Sequence, residues 1–110
     1  MVRYYIICEG RVQGVGFRFF CQMNATELDL TGYAHNLNNG MVEIEVQGSE
    51  EKINMFIHNI KKGNFFIKVN NLSQKKIDLK PSEKKLRNKL HLGEFKNYYL
   101  RNSSSFIINS

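Results

Sequence analysis

The spacing of apolar residues predicts a strand and then a helix within the first 30 residues. From Val2 to Cys8, alternate positions on both faces are largely apolar, which predicts a strand inside a sheet that is covered on at least one side. A helix is predicted from Phe17 to Leu28, because its apolar residues recur every three or four positions and so share one face. These residues are Phe17, Cys21, Ala25 and Leu28.

A hairpin is predicted next. Tyr33–Leu37 is expected to be a short extended segment, and Asn39 with Gly40 forms a strong two-residue turn signal, because both residues tolerate positive φ. Met41–Gln47 alternates between apolar and polar side chains, which predicts a strand with one buried face. Its inward residues are predicted to be Val42, Ile44 and Val46, and its outward residues Glu43 and Glu45.

A second helix and a fourth strand complete the pattern. The helix is predicted to begin near Ser49, a capping residue, and to end at Gly63. Its apolar face consists of Ile53, Phe56, Ile57 and Ile60. The fourth strand is predicted for Phe65–Val69, continuing toward Ile77. The order β-α-β-β-α-β predicts an α+β fold, a ferredoxin-like split-βαβ sandwich with two helices on one face of an antiparallel sheet.

The C-terminal third fits this pattern less well. A short basic helix is predicted for Glu83–Leu92, and a last edge strand is predicted for Tyr98–Arg101. We therefore expect one domain over residues 1–102, with an insertion at residues 80–92. Residues 103–110 are expected to form a frayed tail.

The composition narrows the class of protein. A chain of 110 residues that is 42% apolar fits one globular domain with its own core. No apolar run approaches the ~20 residues of a membrane span, and the strand-like N-terminus predicts no signal peptide. Cys8 and Cys21 have no zinc-binding or redox spacing and fall on apolar faces. We therefore expect a cytoplasmic protein.

The net charge of +6 is unevenly distributed. Residues 1–60 contain four basic and seven acidic side chains, a net charge of −3, whereas residues 61–110 contain twelve and three, a net charge of +9. A basic half can attract nucleic acid or an anionic surface. We interpret it instead as a solvated lysine-rich face, because no motif for nucleic-acid binding accompanies it.

The candidate chemistry lies between the first strand and the first helix, where Gly10–Arg18 has the sequence GRVQGVGFR. Its three glycines let the backbone bend and approach a ligand closely. A loop that enters a helix directs unpaired N–H groups and the positive end of the helix dipole at one spot, and Arg18 adds a full charge. Such a site suits phosphate, although the spacing matches neither nucleotide-binding glycine fingerprint. By spacing alone, a plain β–α turn with a surface arginine is an equal alternative.

The stretch Gly10–Arg18 resembles the first signature of the acylphosphatase family, Gly-x-Val-Gln-Gly-Val-x-Phe/Tyr-Arg, and matches it at every fixed position. A second stretch resembles the second signature of the same family. It consists of Gly32, Tyr33, Ala34, His35 and Asn36, followed by Gly40, Val42 and Gly48. The resemblance covers roughly residues 3–70 and implies the same ferredoxin-like fold.

Two residues of the second stretch need separate interpretation. His35 departs from the family pattern, which commonly has lysine, arginine or another residue there, and alternation places it on the opposite face from Asn36. We interpret His35 as structural or exposed. From the residues alone, Asn36 fits a turn position, because Asn38, Asn39 and Gly40 follow it. The resemblance favours a functional role for Asn36.

The resemblance implies that the protein hydrolyses the carboxyl–phosphate bond of acyl phosphates, giving a carboxylate and inorganic phosphate. It implies that Arg18 holds the phosphate charge and that Asn36 orients the attacking water. The loop residues whose backbone would hold the phosphate are Gln13, Gly14, Val15, Gly16, Phe17 and Arg18. No metal and no cofactor is implied. We expect a monomer that binds a small acyl phosphate, and phosphate or sulfate in the same loop, without a membrane or nucleic-acid partner.

Two other functions stay open. Acylphosphatase-like modules also occur at the start of larger carbamoyl-transferring maturation proteins, so the chain could be a non-catalytic module that binds phosphate or carbamoyl phosphate. An RNA-binding module would have the same order of elements. The strand that should stack bases there exposes Glu43 and Glu45, however, and the aromatic consensus of such modules is missing.

Overall fold

The computed structural model describes residues 1–83 and 106–109, and the helices and strands found there follow the predicted β-α-β-β-α-β order. In chain order they are β1 (Val2–Arg11), α1 (Phe17–Glu27), β2 (Thr31–Asn36), β3 (Val42–Gly48), α2 (Glu50–Lys62), β4 (Lys68–Ile77) and β5 (Phe106–Asn109). Within these residues, the helices are too short or too polar to cross a membrane. The predicted α+β, ferredoxin-like architecture is confirmed.

β1 is an internal strand, because it pairs with β3 along one edge and with β4 along the other. The strand order is β4-β1-β3-β2-β5. The pairs β1–β3, β1–β4 and β2–β3 are antiparallel, and β5 runs parallel to β2. In this register Ile6 lies opposite Ile44 on β3 and Gln74 on β4. The pairing with β3 ends at Cys8, so the end of β1 at Arg11 is held by β4, where Arg11 lies opposite Lys68.

The helices cover one face of the sheet and bury the predicted apolar residues except Leu28, which follows the end of α1 and is only half-buried. The buried side chains on the strands include Tyr4, Ile6, Cys8, Val42, Ile44 and Val46, and those on the helices are Phe17, Cys21, Ala25, Ile53, Phe56, Ile57 and Ile60. α2 has the predicted ends: the Ser49 hydroxyl accepts a hydrogen bond from the Lys52 N–H at 3.3 Å, and Gly63 follows its last turn.

The opposite face of the sheet carries a buried ion network around Arg3, which is only 1% exposed. Its guanidinium donates to Glu45 at 2.7 Å, to Glu83 at 2.7 Å and to Gln47 at 3.2 Å. Gln47 in turn accepts from the backbone N–H of Lys80 at 2.7 Å and donates to its carbonyl at 3.1 Å. These contacts hold residues 80–83, the start of the predicted insertion, against the face of the sheet opposite the helices.

β4 begins three residues later than predicted. The carbonyl oxygen of the Asn64 side chain accepts hydrogen bonds from the N–H groups of Phe66 at 2.8 Å and Ile67 at 3.0 Å. This local turn competes with strand pairing, so Phe65 and Phe66 stay outside the sheet. The prediction of a strand at Phe65–Val69 is therefore wrong at its start, and its continuation to Ile77 is confirmed.

The prediction of a frayed tail is wrong for Phe106–Asn109, which form β5 along the edge of β2. Phe106 is 1% exposed, its ring lies 6.1 Å from that of Phe56, and its carbonyl accepts a hydrogen bond from the Gln22 side chain. The pairing of β5 with β2 joins segments that are far apart in the chain, so the local sequence pattern does not reveal it. The predicted strand Tyr98–Arg101 lies outside the described residues, as does all of the predicted helix Glu83–Leu92 after its first residue, so the insertion at residues 80–92 stays a prediction.

Replacing Phe106 by alanine should lower the free energy of unfolding by about 3–5 kcal/mol, because it removes a buried aromatic ring from the core. The matched control is Phe65→Ala, since Phe65 is 92% exposed and its loss should cost under about 0.5 kcal/mol. Urea denaturation measures both values. Equal costs for the two variants would contradict the packing of β5 on the core.

The two cysteines should be inert in the folded protein. Burial raises the pKa of the Cys8 thiol to about 12 and raises the pKa of Cys21, which also lies near Cys8. A free cysteine titrates near pH ~8.5, so below about that pH the contribution of the buried, protonated thiols to stability is fully present. It is lost as the pH rises toward about 12. A disulfide reagent at pH 8 should titrate both thiols in denaturant and neither in the native protein. A native thiol that reacts at the denatured rate would refute this.

Candidate active site

The loop of residues 12–16 carries the chain from the end of β1 directly into α1. Gly14 and Gly16 have φ values of 74° and 80°, in the left-handed region that favours glycine. A Cβ atom built on either residue would meet nothing within 4 Å. The backbone conformation, and not a lack of space, therefore requires glycine at both positions.

The first turn of α1 presents backbone N–H groups that no capping side chain among the described residues occupies. The first helical hydrogen bond is donated by Phe20 to the carbonyl of Gly16, at 3.0 Å. The N–H groups of residues 17–19 precede this bond and so have no acceptor within the helix. The turn contains no acidic residue to balance the positive end of the helix dipole. This end of α1 therefore has the features of an anion-binding site.

Arg18 is half-buried in this same turn. A cation at a helix N-terminus is disfavoured by the helix dipole, and a bound anion would offset that cost. The planar guanidinium can hold two oxygens of one phosphate with two parallel hydrogen bonds, which an ammonium group cannot do. The charge and the N–H groups that have no acceptor within the helix thus belong to one helical turn.

Asn36 is the last residue of β2 and lies opposite Val42 in the ladder with β3. It shares a face with Ala34, on the helix side of the sheet, whereas His35 lies opposite Glu43 on the other face. The Asn36 side-chain oxygen is buried and accepts no hydrogen bond from any described residue. A buried amide oxygen in this state is suited to a bound water or ligand.

Gln13 links the loop to the hairpin that follows Asn36. Its side-chain amide donates to the carbonyls of Leu37 and Met41, at 2.8 Å each. The same two residues close the hairpin, because the Leu37 N–H donates to the Met41 carbonyl, also at 2.8 Å. One side chain therefore fixes the loop of residues 12–16 relative to the end of β2.

The family resemblance implies a role only for the backbone of Gln13, and its side chain has a hydrogen-bonding role that was not predicted. Leu37 is 24 positions from Gln13 and Met41 is 28 positions from it. Local periodicity does not reveal hydrogen bonds between residues so far apart in the chain. Phe17, also named for its backbone, is 1% exposed and anchors the start of α1 in the core. Among the described residues, no three His, Cys, Asp or Glu side chains lie close enough together to hold a metal ion.

An α+β sandwich with a glycine loop, a helix N-terminus and an arginine at one end of its sheet defines a phosphate-binding class of protein. Comparison with known proteins specifies the family. The sequence model of the family named Acylphosphatase matches residues 4–87. An acylphosphatase from Clostridium beijerinckii is 52% identical over 85 residues, which cover 77% of this chain and 94% of that protein. The chain belongs to the acylphosphatase family.

Solved structures agree with this assignment. The crystal structure of acylphosphatase from Bacillus subtilis aligns with a TM-score of 0.74 and 32% identity, covering 98% of each chain. The crystal structure of T. kodakarensis HypF aligns with a TM-score of 0.70 and 30% identity, covering all of this chain but 12% of that protein. The fold therefore occurs both as a whole small protein and as part of a larger one.

Replacing Gln13 by leucine should lower the free energy of unfolding by about 1–3 kcal/mol, because the carbonyls of Leu37 and Met41 both lose a donor. It should also speed amide hydrogen exchange in the hairpin at residues 37–41. Gln74→Leu is the control, since Gln74 is an exposed glutamine on β4. The link between loop and hairpin is refuted if both variants leave stability and exchange unchanged.

Proposed function

We propose that this chain hydrolyses acyl phosphates to a carboxylate and inorganic phosphate, the reaction of the acylphosphatase family. The observation that carries the proposal is the pairing of two features at one end of the sheet. One is the first turn of α1, with Arg18 and N–H groups that have no acceptor within the helix, and the other is the amide oxygen of Asn36, which accepts no hydrogen bond from the described residues. Gln13 ties the two together.

The phosphate is held by the loop. The backbone N–H groups of Gln13, Gly14, Val15, Gly16, Phe17 and Arg18 surround its oxygens, and the Arg18 guanidinium binds two of them. Donors that are already in place before the reaction stabilise the charge of the transition state without reorganisation. The positive φ values of Gly14 and Gly16 support this arrangement, because they direct successive N–H groups toward one point.

Asn36 orients the attacking water. Its side-chain oxygen accepts a hydrogen bond from the water, whose oxygen then faces the phosphorus atom. As the new P–O bond forms, the bond from phosphorus to the carboxyl oxygen breaks and its electron pair stays on the departing carboxylate. The proton of the water passes to a phosphate oxygen. An amide cannot act as a general base at neutral pH, so positioning is its contribution.

The reaction needs little acid–base chemistry from the protein. The leaving group is a carboxylate, a weak base that departs without a proton. The buried cysteines stay protonated, because burial raises the pKa of both, and so they supply no nucleophile. Phosphoryl transfer by positioning and electrostatics alone is sufficient here.

We further propose that the protein acts as a monomer in the cytoplasm and that inorganic phosphate or sulfate occupies the same loop. The family acts on small acyl phosphates, which need no second macromolecule. The rival function is a non-catalytic module that binds phosphate or carbamoyl phosphate. The alignment with 12% of HypF supports this alternative, because the same fold is there one part of a larger protein. The 94% coverage of the C. beijerinckii relative supports the stand-alone enzyme.

The test is hydrolysis of benzoyl phosphate in the presence of EDTA. Arg18→Ala and Asn36→Ala should each reduce kcat/KM by about 10²–10³-fold, because each removes a group that stabilises or positions the transition state. Arg18→Lys should recover little, since the bidentate contact is lost.

The matched controls are Arg11→Ala, an exposed arginine at the end of β1, and His35→Ala, next to Asn36 on the other face. Both should stay within about threefold of the parent protein. Circular dichroism verifies the folding of each variant. A folded parent that binds inorganic phosphate without turnover would establish the binding module instead, and equal losses in His35→Ala and Asn36→Ala would refute the role of Asn36.

A further inference from the structure

The loop between α2 and β4 lies at the same end of the sheet as the phosphate loop. Arg11, the last residue of β1, lies opposite Lys68, the first residue of β4. A Cβ atom on Gly10 would overlap the carbonyl oxygen of Lys68, so the two backbones are in close contact there. The next residues outward, Val12 and Ile67, are both buried in the same core. The two loops therefore leave the sheet side by side.

The α2–β4 loop presents an exposed aromatic pair. Phe65 is 92% exposed and Phe66 is 63% exposed, and their rings meet edge-to-face with centroids 5.3 Å apart. The Asn64 side chain holds the backbone of this turn through its two hydrogen bonds. Adjacent exposed rings on an ordered turn form a small apolar surface of the kind that marks binding sites.

The side of the phosphate from which the leaving group departs relates this aromatic pair to the substrate. This step rests on the function proposed above. In phosphoryl transfer the attacking and leaving oxygens lie roughly in line on opposite sides of phosphorus. Asn36 places the water on the β2 side of the phosphate loop. In the strand order β4-β1-β3-β2-β5, β4 lies on the other side of β1. With the water on the β2 side, the departing carboxylate and its acyl group would leave on the β4 side of the phosphate, where the α2–β4 loop lies.

We propose that Phe65 and Phe66 bind the acyl group of the substrate and make the enzyme prefer aryl and other large apolar acyl phosphates over acetyl phosphate. The phosphate is common to every substrate, so the loop and Arg18 do not discriminate between acyl groups. The aromatic pair supplies that discrimination by contact with an apolar group that acetyl phosphate lacks. Phe65 and Phe66 are thus specificity-determining residues.

The test compares kcat/KM for benzoyl phosphate and acetyl phosphate in the parent protein and in the double variant Phe65→Ser/Phe66→Ser. The ratio of the two values should fall roughly fivefold or more in the variant, because the stacking contact is lost. Turnover of acetyl phosphate and inhibition by inorganic phosphate should stay within about twofold. Met55→Ser is the control, since Met55 is 49% exposed but lies on α2.

A ratio that stays unchanged in the double variant, or falls equally in Met55→Ser, overturns the proposal. The binding of two stable phosphonates separates this result from a failure of the proposed function. Phenacylphosphonate and acetonylphosphonate carry the aryl and methyl acyl groups on a bond that cannot be hydrolysed. Calorimetry should show tighter binding of the aryl compound to the parent and a loss of that difference in the double variant, whether or not the protein turns over substrate.

Discussion

The pairing of β1 along both edges is the constraint on which the site depends. Because β3 pairs with β1 from Val2 to Cys8 and β4 pairs with it from Arg3 to Arg11, the chain leaves the sheet from a fixed position. The loop that follows needs only Gly14 and Gly16 to turn the chain into α1. Phe17 then anchors the helix in the core. A flexible glycine-rich sequence is in this way held between two rigid attachments, which suits a site whose donors must be in place before the reaction.

The proposed active site uses backbone N–H groups, the Arg18 guanidinium and the Asn36 amide, and none of these needs to exchange a proton near neutral pH. Burial raises the pKa of the Cys8 and Cys21 thiols, so they stay protonated there. The outward acidic residues on β3 are occupied elsewhere: Glu43 accepts from Tyr5, and Glu45 from Tyr33 and Arg3. The Glu43 bond, with burial, raises the pKa of Tyr5 to about 12. This acidic face differs from the base-stacking surface of RNA-binding modules of the same fold.

The sequence predicted most of what depends on local pattern. Helices α1 and α2 and strand β3 follow from regular apolar spacing, and the glycine stretch with Asn36 follows from two family signatures. The errors arose where a single side chain or a distant pairing decides the structure. The Asn64 turn shortens β4, and the Gln13 side chain reaches across 24 residues to Leu37. The buried network of Arg3 was missed because its partners are far apart in sequence.

The parallel pairing of β5 with β2 has a consequence for how the protein is made. Gly32 and Phe106 are neighbours in the sheet although 74 positions separate them in the chain. Contacts of such high sequence separation form slowly, because a long loop must close before they contribute. During synthesis, β2 emerges from the ribosome long before its parallel partner exists. Its free edge is then a template for pairing with other chains, so the nascent protein is most prone to aggregation in that interval.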